Sequence, residues 1–248
     1  MDAAYDNAYH HKLRGRVWQA LRGTEYEETH DADEPTGFVY SNPFPPRDME
    51  EGDDRTLLVA SPYEELLAHV AADLLDEPEF NVGEMPFTVD DVVPIDPDVG
   101  EPGTSGTIET GTGVLVRIPQ ERADDYDIDS DGDQAIYWRP HHSMEPFVTR
   151  VENNLDRKHG RFAPDYLPGP SDVDGDLFDT YELLKTFAVP VTVTQRQELT
   201  YVLSKWRFGY TVRSDDHRRN LNLALDTGIG ERNSLGFGFL NVVEGEDG

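Results

Sequence analysis

Residues 228–243, GIGERNSLGFGFLNVV, constrain this chain more than any other stretch. Four glycines, Gly228, Gly230, Gly236 and Gly238, surround a polar centre of Glu231, Arg232, Asn233 and Ser234. A helical run, His217 to Asp226, precedes them, and an apolar run, Leu235 to Val243, follows. Glycine accepts positive φ and lets a second backbone come close. Two readings fit. In one, the glycines form a helix C-cap and a bulge in a helix-to-strand turn. In the other, successive N–H groups make a concave anion site, and Arg232 adds a planar fork for phosphate or a base edge.

The 248 residues allow one large domain or two of about 100–120 residues. The chain has no cysteine, which excludes disulfides, thiolate metal sites and cysteine nucleophiles. No apolar run approaches the ~20 residues of a membrane span, and the opening MDAAYDNAYHHKL is unlike a signal peptide. A cytoplasmic protein without a membrane partner is expected. Fifty acidic residues stand against 21 basic ones, a net charge of −29. At ordinary salt such a chain repels itself and repels nucleic acid. The acid is spread over both halves, and arginine far outnumbers lysine. This reads as a halophile's protein, working where the Debye length is about 3 Å. Counterion release then contributes little affinity, and a nucleic-acid binder must use stacking, hydrogen bonds and shape.

Along the chain, residues 5–22 read as an amphipathic helix on Tyr9, Leu13, Val17 and Leu21, with a basic face of Lys12, Arg14, Arg16 and Arg22. Strands are expected at Gly37–Phe44 and Thr56–Ala60, a helix at Pro62–Leu75, and one or two short strands in Phe80–Ile95. The Pro/Gly/Thr-rich stretch Pro94–Gly113 is the best domain boundary. It divides the chain into residues 1–98, a linker 99–112, and residues 113–248. The second part reads strand (Val114–Ile118), helix (Ser143–Lys158), hairpin (Phe187–Thr194 and Thr200–Val212), helix and strand. That order is ferredoxin-like. The first part reads as the same unit without its opening strand, so the expected fold is α+β with tandem ferredoxin-like (RRM-like) domains.

These residues resemble a known family, the CRISPR-associated endoribonucleases that cut precursor repeat RNA (the Cas-six family of the RAMP superfamily). The closing GIGERNSLGFGFLNVV is similar to the family's C-terminal glycine-rich signature. The N-terminal order also agrees: a helix, then Tyr26 and His30, then GFVYSNPF. The resemblance implies metal-free cleavage by a ribose 2′-OH, giving a 2′,3′-cyclic phosphate and a 5′-OH, with no cofactor. It implies His30 as general acid or base, with Tyr26 and Ser41 as candidate helpers. Histidine suits either proton step, its ordinary pKa lying near 6.5. RNA binding would fall to Gly228, Gly230, Arg232, Asn233, Ser234, Gly236 and Gly238, together with Arg218 and Arg219. The partners implied are precursor CRISPR RNA and other CRISPR interference-complex proteins, not DNA. Family members usually begin with a strand before the first helix, so in-frame codons upstream are expected to encode one. Where several members carry a tyrosine in the first helix and a lysine after the histidine, this chain has Trp18 and Thr36.

Lys205, Arg207 and Arg213, interleaved with Trp206, Phe208 and Tyr210, fit either RNA contact or a hairpin with its aromatics in the core. The pairs His10–His11 and His141–His142 chelate poorly, since helical neighbours point some 100° apart. The run Asp127–Asp133 mimics a calcium loop, but Trp138 stands where a bidentate glutamate is needed. No metal is expected. Two alternatives to the nuclease remain: a non-catalytic RNA-binding RAMP subunit, and a ferredoxin-like small-ligand regulatory module.

Overall fold

The computed structural model describes residues 9–27, 35–45, 50–82, 85–129, 135–166, 168–194 and 197–243. The second half carries the larger sheet. Four strands lie in the order β10–β5–β9–β8: β5 (Ser105–Thr110), β8 (Thr180–Thr194), β9 (Gln197–Thr211) and β10 (Leu240–Val243). All neighbours are antiparallel. Helix α3 (Glu145–Phe162) connects β5 to β8, and α4 (Asp215–Thr227) connects β9 to β10. The connectivity βαββαβ with this strand order is the ferredoxin-like split βαβ arrangement. Short strands β6 (Arg117–Ile118) and β7 (Ile136–Tyr137) pair between β5 and α3.

The helices form for legible reasons. In α3, Phe147, Val151 and Leu155 recur every four residues and are buried. Helix α4 is capped by Ser214, whose side chain accepts from the His217 N–H, and Asp215 and Asp216 favour its positive end. In β9, Trp206, Phe208 and Tyr210 face the helices and are buried. Lys205 and Arg207 alternate with them. Arg207 pairs with Glu109 and Glu182 on the two flanking strands.

The first half is smaller. Helix α1 (Tyr9–Ala20) buries Leu13, Val17 and Trp18 against Phe38 and α2 (Glu64–Asp76). Strands β1 (Val39–Tyr40) and β2 (Val59–Ala60) pair antiparallel, and β3 (Glu79–Val82) forms a hairpin with β4 (Met85–Thr88). Among the described residues no strand joins these two hairpins. The chain is α+β, with tandem ferredoxin-like units.

Three expectations need correction. The stretch 99–112, read as a linker, contains β5, which pairs β9 on one side and β10 on the other. Its two large apolar residues, Val99 and Ile108, are buried. The strand expected at Val114–Ile118 is a single bridge from Val114 to Ser204 followed by β6. The closing strand begins at Leu240, because 233–239 are spent on a 3-10 turn and a glycine loop.

Candidate nucleic-acid interface

The glycine loop leaves the end of α4 and turns back to β10. Gly228, Gly230, Gly236 and Gly238 all have positive φ, between 69° and 80°. They are buried, so they do not themselves offer a cradle to a ligand. The N–H groups of Ile229, Glu231 and Gly238 donate to the carbonyls of Gly238, Leu115 and Gly113. The expectation of an amide-lined anion site therefore gives way to close packing. A Cβ on Gly236 would lie 2.5 Å from the Tyr40 ring. Asn233 ties the neck of the loop, its Nδ2 donating to the carbonyls of Ile229 (3.1 Å) and Phe237 (2.8 Å). What the loop presents outward is Arg232, at φ 60°, and the half-buried Asn233 and Ser234.

Neighbouring elements clamp it. Lys158 of α3 is buried, and its Nζ donates to the carbonyls of Thr227 (3.2 Å) and Gly228 (2.6 Å). A cation there also meets the negative end of α4. Burial pulls the Lys158 ammonium down to about 7. From α1, the Nδ1–H of His10 donates to the Leu235 carbonyl at 2.7 Å, and the Tyr40 hydroxyl donates to the His10 carbonyl at 2.7 Å. Burial lowers His10 to about 4, against the smaller opposing effect of that carbonyl, so its imidazole is neutral near pH 7. Glu231 bridges Arg117 (2.5 Å) and Arg150 (3.1 Å).

These clamps shape a cleft of about 210 Å³ between α1, α3 and the loop. Arg14, Arg117, Arg157, Lys158 and Arg232 line it. Arg157 and Arg232 make no ion pair among the described residues, although the chain carries 50 carboxylates. Asn154 adds a buried Oδ1 with no hydrogen-bond partner among the described residues. Arg117 shares the cleft with its partner Glu231, whereas the exposed Arg157 and Arg232, without an ion pair among the described residues, suit phosphate recognition. A second cavity, of about 280 Å³, adjoins it, since Thr36 and Phe162 line both.

His30 lies outside the described residues. The residues on either side of its segment reach both cavities: Glu25 and Tyr26 line the second, and Pro35 and Thr36 line the first. Ser41 is buried, its hydroxyl accepting from the Leu58 N–H (2.9 Å) and donating to the Asn42 carbonyl (2.8 Å), so it joins β1 to the strand beside it. Trp18 is a core residue with its ring 5.3 Å from Phe38.

Arg218 and Arg219 sit elsewhere. Arg218 is held by Asp98 (2.7 Å) and Glu101 (2.6 Å), and Arg219 pairs with Asp216. They stand two to three turns from the loop end of α4, so the expected basic helix is a carboxylate-bound strut. Lys205 donates to the Gly111 carbonyl, and Arg213 is engaged by Asp179 (3.2 Å). Trp206, Phe208 and Tyr210 lie in the core, so these three rings are not offered for stacking. Among the described residues no group of three or more potential ligands gathers for a metal. The calcium-like run is described only at Asp127–Asp129.

Sequence reasoning did not single out Arg117, Arg157 or Lys158. One signal was present: Lys158 continues the apolar stripe Phe147–Val151–Leu155, where a lysine must find buried acceptors.

Known proteins share the sequence and the fold of this chain. The family described as CRISPR associated protein Cas6, C-terminal, matches residues 99–242. The CRISPR-associated endoribonuclease Cas6 of Haloferax mediterranei is 56% identical, the match covering 98% of this chain and 90% of that protein. The CRISPR-associated endoribonuclease Cas6 2 of Methanocaldococcus jannaschii is 25% identical over 98% of this chain and 95% of its own. A solved Cas6-related structure from Pyrococcus furiosus, 19% identical, shares the fold with a TM-score of 0.69, covering 99% of this chain and 94% of that one. The chain belongs to the Cas6 family of CRISPR-associated proteins.

Proposed function

We propose that the protein is an endoribonuclease that cuts precursor CRISPR RNA within its repeats, without a metal ion. One juxtaposition carries the reading. A cleft lined by Arg14, Arg117, Arg157 and Arg232 lies between α1, α3 and the glycine loop, and both described flanks of the His30 segment border it or its neighbour. In the reaction the ribose 2′-oxygen attacks the adjacent phosphorus, and the bond from phosphorus to the 5′-oxygen breaks. The products are a 2′,3′-cyclic phosphate and a 5′-hydroxyl. One proton leaves the 2′-hydroxyl and another reaches the departing oxygen; His30 performs one of these transfers. Arg157 and Arg232, with Arg14 beside them, offset the charge that builds on the phosphorane oxygens. Lys158 and His10 hold the loop that carries Arg232. Tyr26 borders the reacting strand. The cut RNA would pass to other proteins of the CRISPR interference complex, the cytoplasm being the place of work.

The test is incubation with repeat RNA in molar KCl with excess EDTA, followed by end-group analysis. Cyclic phosphate and 5′-hydroxyl ends at one position within the repeat are expected. Activity that disappears in EDTA and returns with a divalent ion overturns the metal-free chemistry. Binding without a cut favours a non-catalytic RNA-binding subunit, and no binding favours a small-ligand module.

A further inference from the structure

The second cavity is built differently from the arginine cleft. Its walls are the half-buried rings of Tyr26, Tyr63 and Phe162, with Glu25 and Arg161 at the polar side. The Tyr63 ring lies 5.6 Å from Tyr26 and meets Phe162 edge-on at 5.6 Å. The Arg161 guanidinium lies 5.9 Å from the Phe162 ring centre. Burial raises the Tyr26 and Tyr63 hydroxyls above the usual range, and the Glu25 carboxylate adds to both shifts. The Tyr26 hydroxyl is hydrogen-bonded to the Glu25 carboxylate, an acceptor-only group with further lone pairs.

Three aromatic rings around about 280 Å³ suit one planar ring system rather than a length of strand. Glu25 selects which. A carboxylate accepts two parallel N–H bonds. Guanine alone among the four bases presents two adjacent donors, N1–H and the 2-amino group, on its Watson–Crick edge. Adenine and cytosine set a ring-nitrogen acceptor beside the amino group, and uracil flanks its N–H with carbonyls. Arg161 is of the residue type that pairs with guanine O6. Stacking and a bidentate hydrogen bond also survive molar salt, where phosphate contacts weaken.

We propose that this cavity receives one unstacked guanine of the RNA, stacked among Tyr26, Tyr63 and Phe162 and read by Glu25. Thr36 and Phe162 line both cavities, so this base belongs to a nucleotide next to the phosphate held by Arg157 and Arg232. The inference rests on the RNA-binding part of the function proposed above.

Filter binding in molar KCl tests it. The probe is repeat RNA with a 2′-deoxy sugar at the mapped cut, or unmodified RNA if no cut is found. Each guanine is replaced in turn by inosine, which lacks the 2-amino group. At one position inosine should weaken wild-type binding about tenfold and have little effect on Glu25→Ala. At that same position Tyr63→Leu should weaken binding of the guanine RNA about tenfold, but not binding of an abasic RNA. Glu25 is exposed, so its variant folds whatever becomes of Tyr63→Leu. Inosine effects that are equal in wild type and Glu25→Ala at every guanine overturn the inference. RNA that is bound and read in this way but never cut leaves the inference standing and removes the nuclease reading. Absence of any RNA binding overturns both.

Discussion

The Nζ of Lys158 lies 2.6 Å from the carbonyl oxygen of Gly228, the first residue of the glycine loop. That contact fastens α3 to the end of α4 and fixes the point from which the loop departs. A Lys158→Met substitution keeps the length of the side chain and removes the donor. Two carbonyls, those of Thr227 and Gly228, lose their cationic partner. The expected cost is about 1–3 kcal/mol in stability, read as a lowered unfolding midpoint in denaturant at fixed KCl. RNA affinity should fall with it, because Arg232 is carried on the loop so released.

His10 gives the loop a pH dependence. Its folded-state pKa is lowered to about 4 by burial, whereas the unfolded side chain titrates near 6.5. Its contribution is complete above pH 6.5 and is lost as pH falls toward 4, because only the unfolded chain takes up the proton in that window. Between pH 7 and pH 5 the loss from this group is about 2 kcal/mol. His10→Gln retains a donor for the Leu235 carbonyl and does not titrate. Denaturation of both proteins at the two pH values should show a smaller drop in the variant by about that amount. Equal drops contradict a neutral buried His10.

The loop glycines are required by contact and by φ together. A Cβ at Gly236 would lie 2.5 Å from the Tyr40 ring, and one at Gly238 would overlap the Ile229 carbonyl. Both positions also have positive φ. Gly236→Ala and Gly238→Ala should each destabilise by at least about 2 kcal/mol. Gly160→Ala is the control: a Cβ there meets nothing within 4 Å, and the residue is helical. It should be neutral or stabilising by up to about 1 kcal/mol. Thermal unfolding distinguishes the three.

Arg157→Ala and Arg232→Ala separate binding from stability. Both side chains are exposed and make no ion pair among the described residues, so the unfolding free energy should move by less than about 0.5 kcal/mol. Repeat-RNA affinity should fall roughly tenfold for each, the worth of a charge-assisted phosphate contact at about 1.4 kcal/mol. Arg218→Ala should do the reverse, leaving affinity intact and loosening the 98–101 segment that it ties to α4.

Much of the architecture was legible where periodicity was strong. The stripe of α3 and the hairpin from Phe187 onward declare themselves in sequence, while the first part of β8, from Thr180, does not. Strand β5 does not, because SGTIET looks like a turn. It is central in the sheet nonetheless. Gly106 is needed there, since a Cβ would lie 2.5 Å from the Tyr210 hydroxyl oxygen, and Thr110 accepts from the Trp206 N–H. The glycine loop declares itself by composition, but composition leaves two readings open, a packed helix-to-strand turn and an amide-lined anion site. The structure takes the first, positive φ letting the loop pack against Tyr40 and Val39. The basic residues were the least legible. Whether an arginine is free depends on which of 50 carboxylates lies beside it, and that is a property of the fold.

The central claim is that His30 performs a proton transfer on RNA held by the arginine cleft. Single-turnover cleavage and equilibrium binding of repeat RNA by His30→Ala, beside wild type in molar KCl, address it directly. The account predicts a cleavage rate at least about 10²-fold lower, with affinity within about twofold of wild type. Cleavage at the wild-type rate would contradict it.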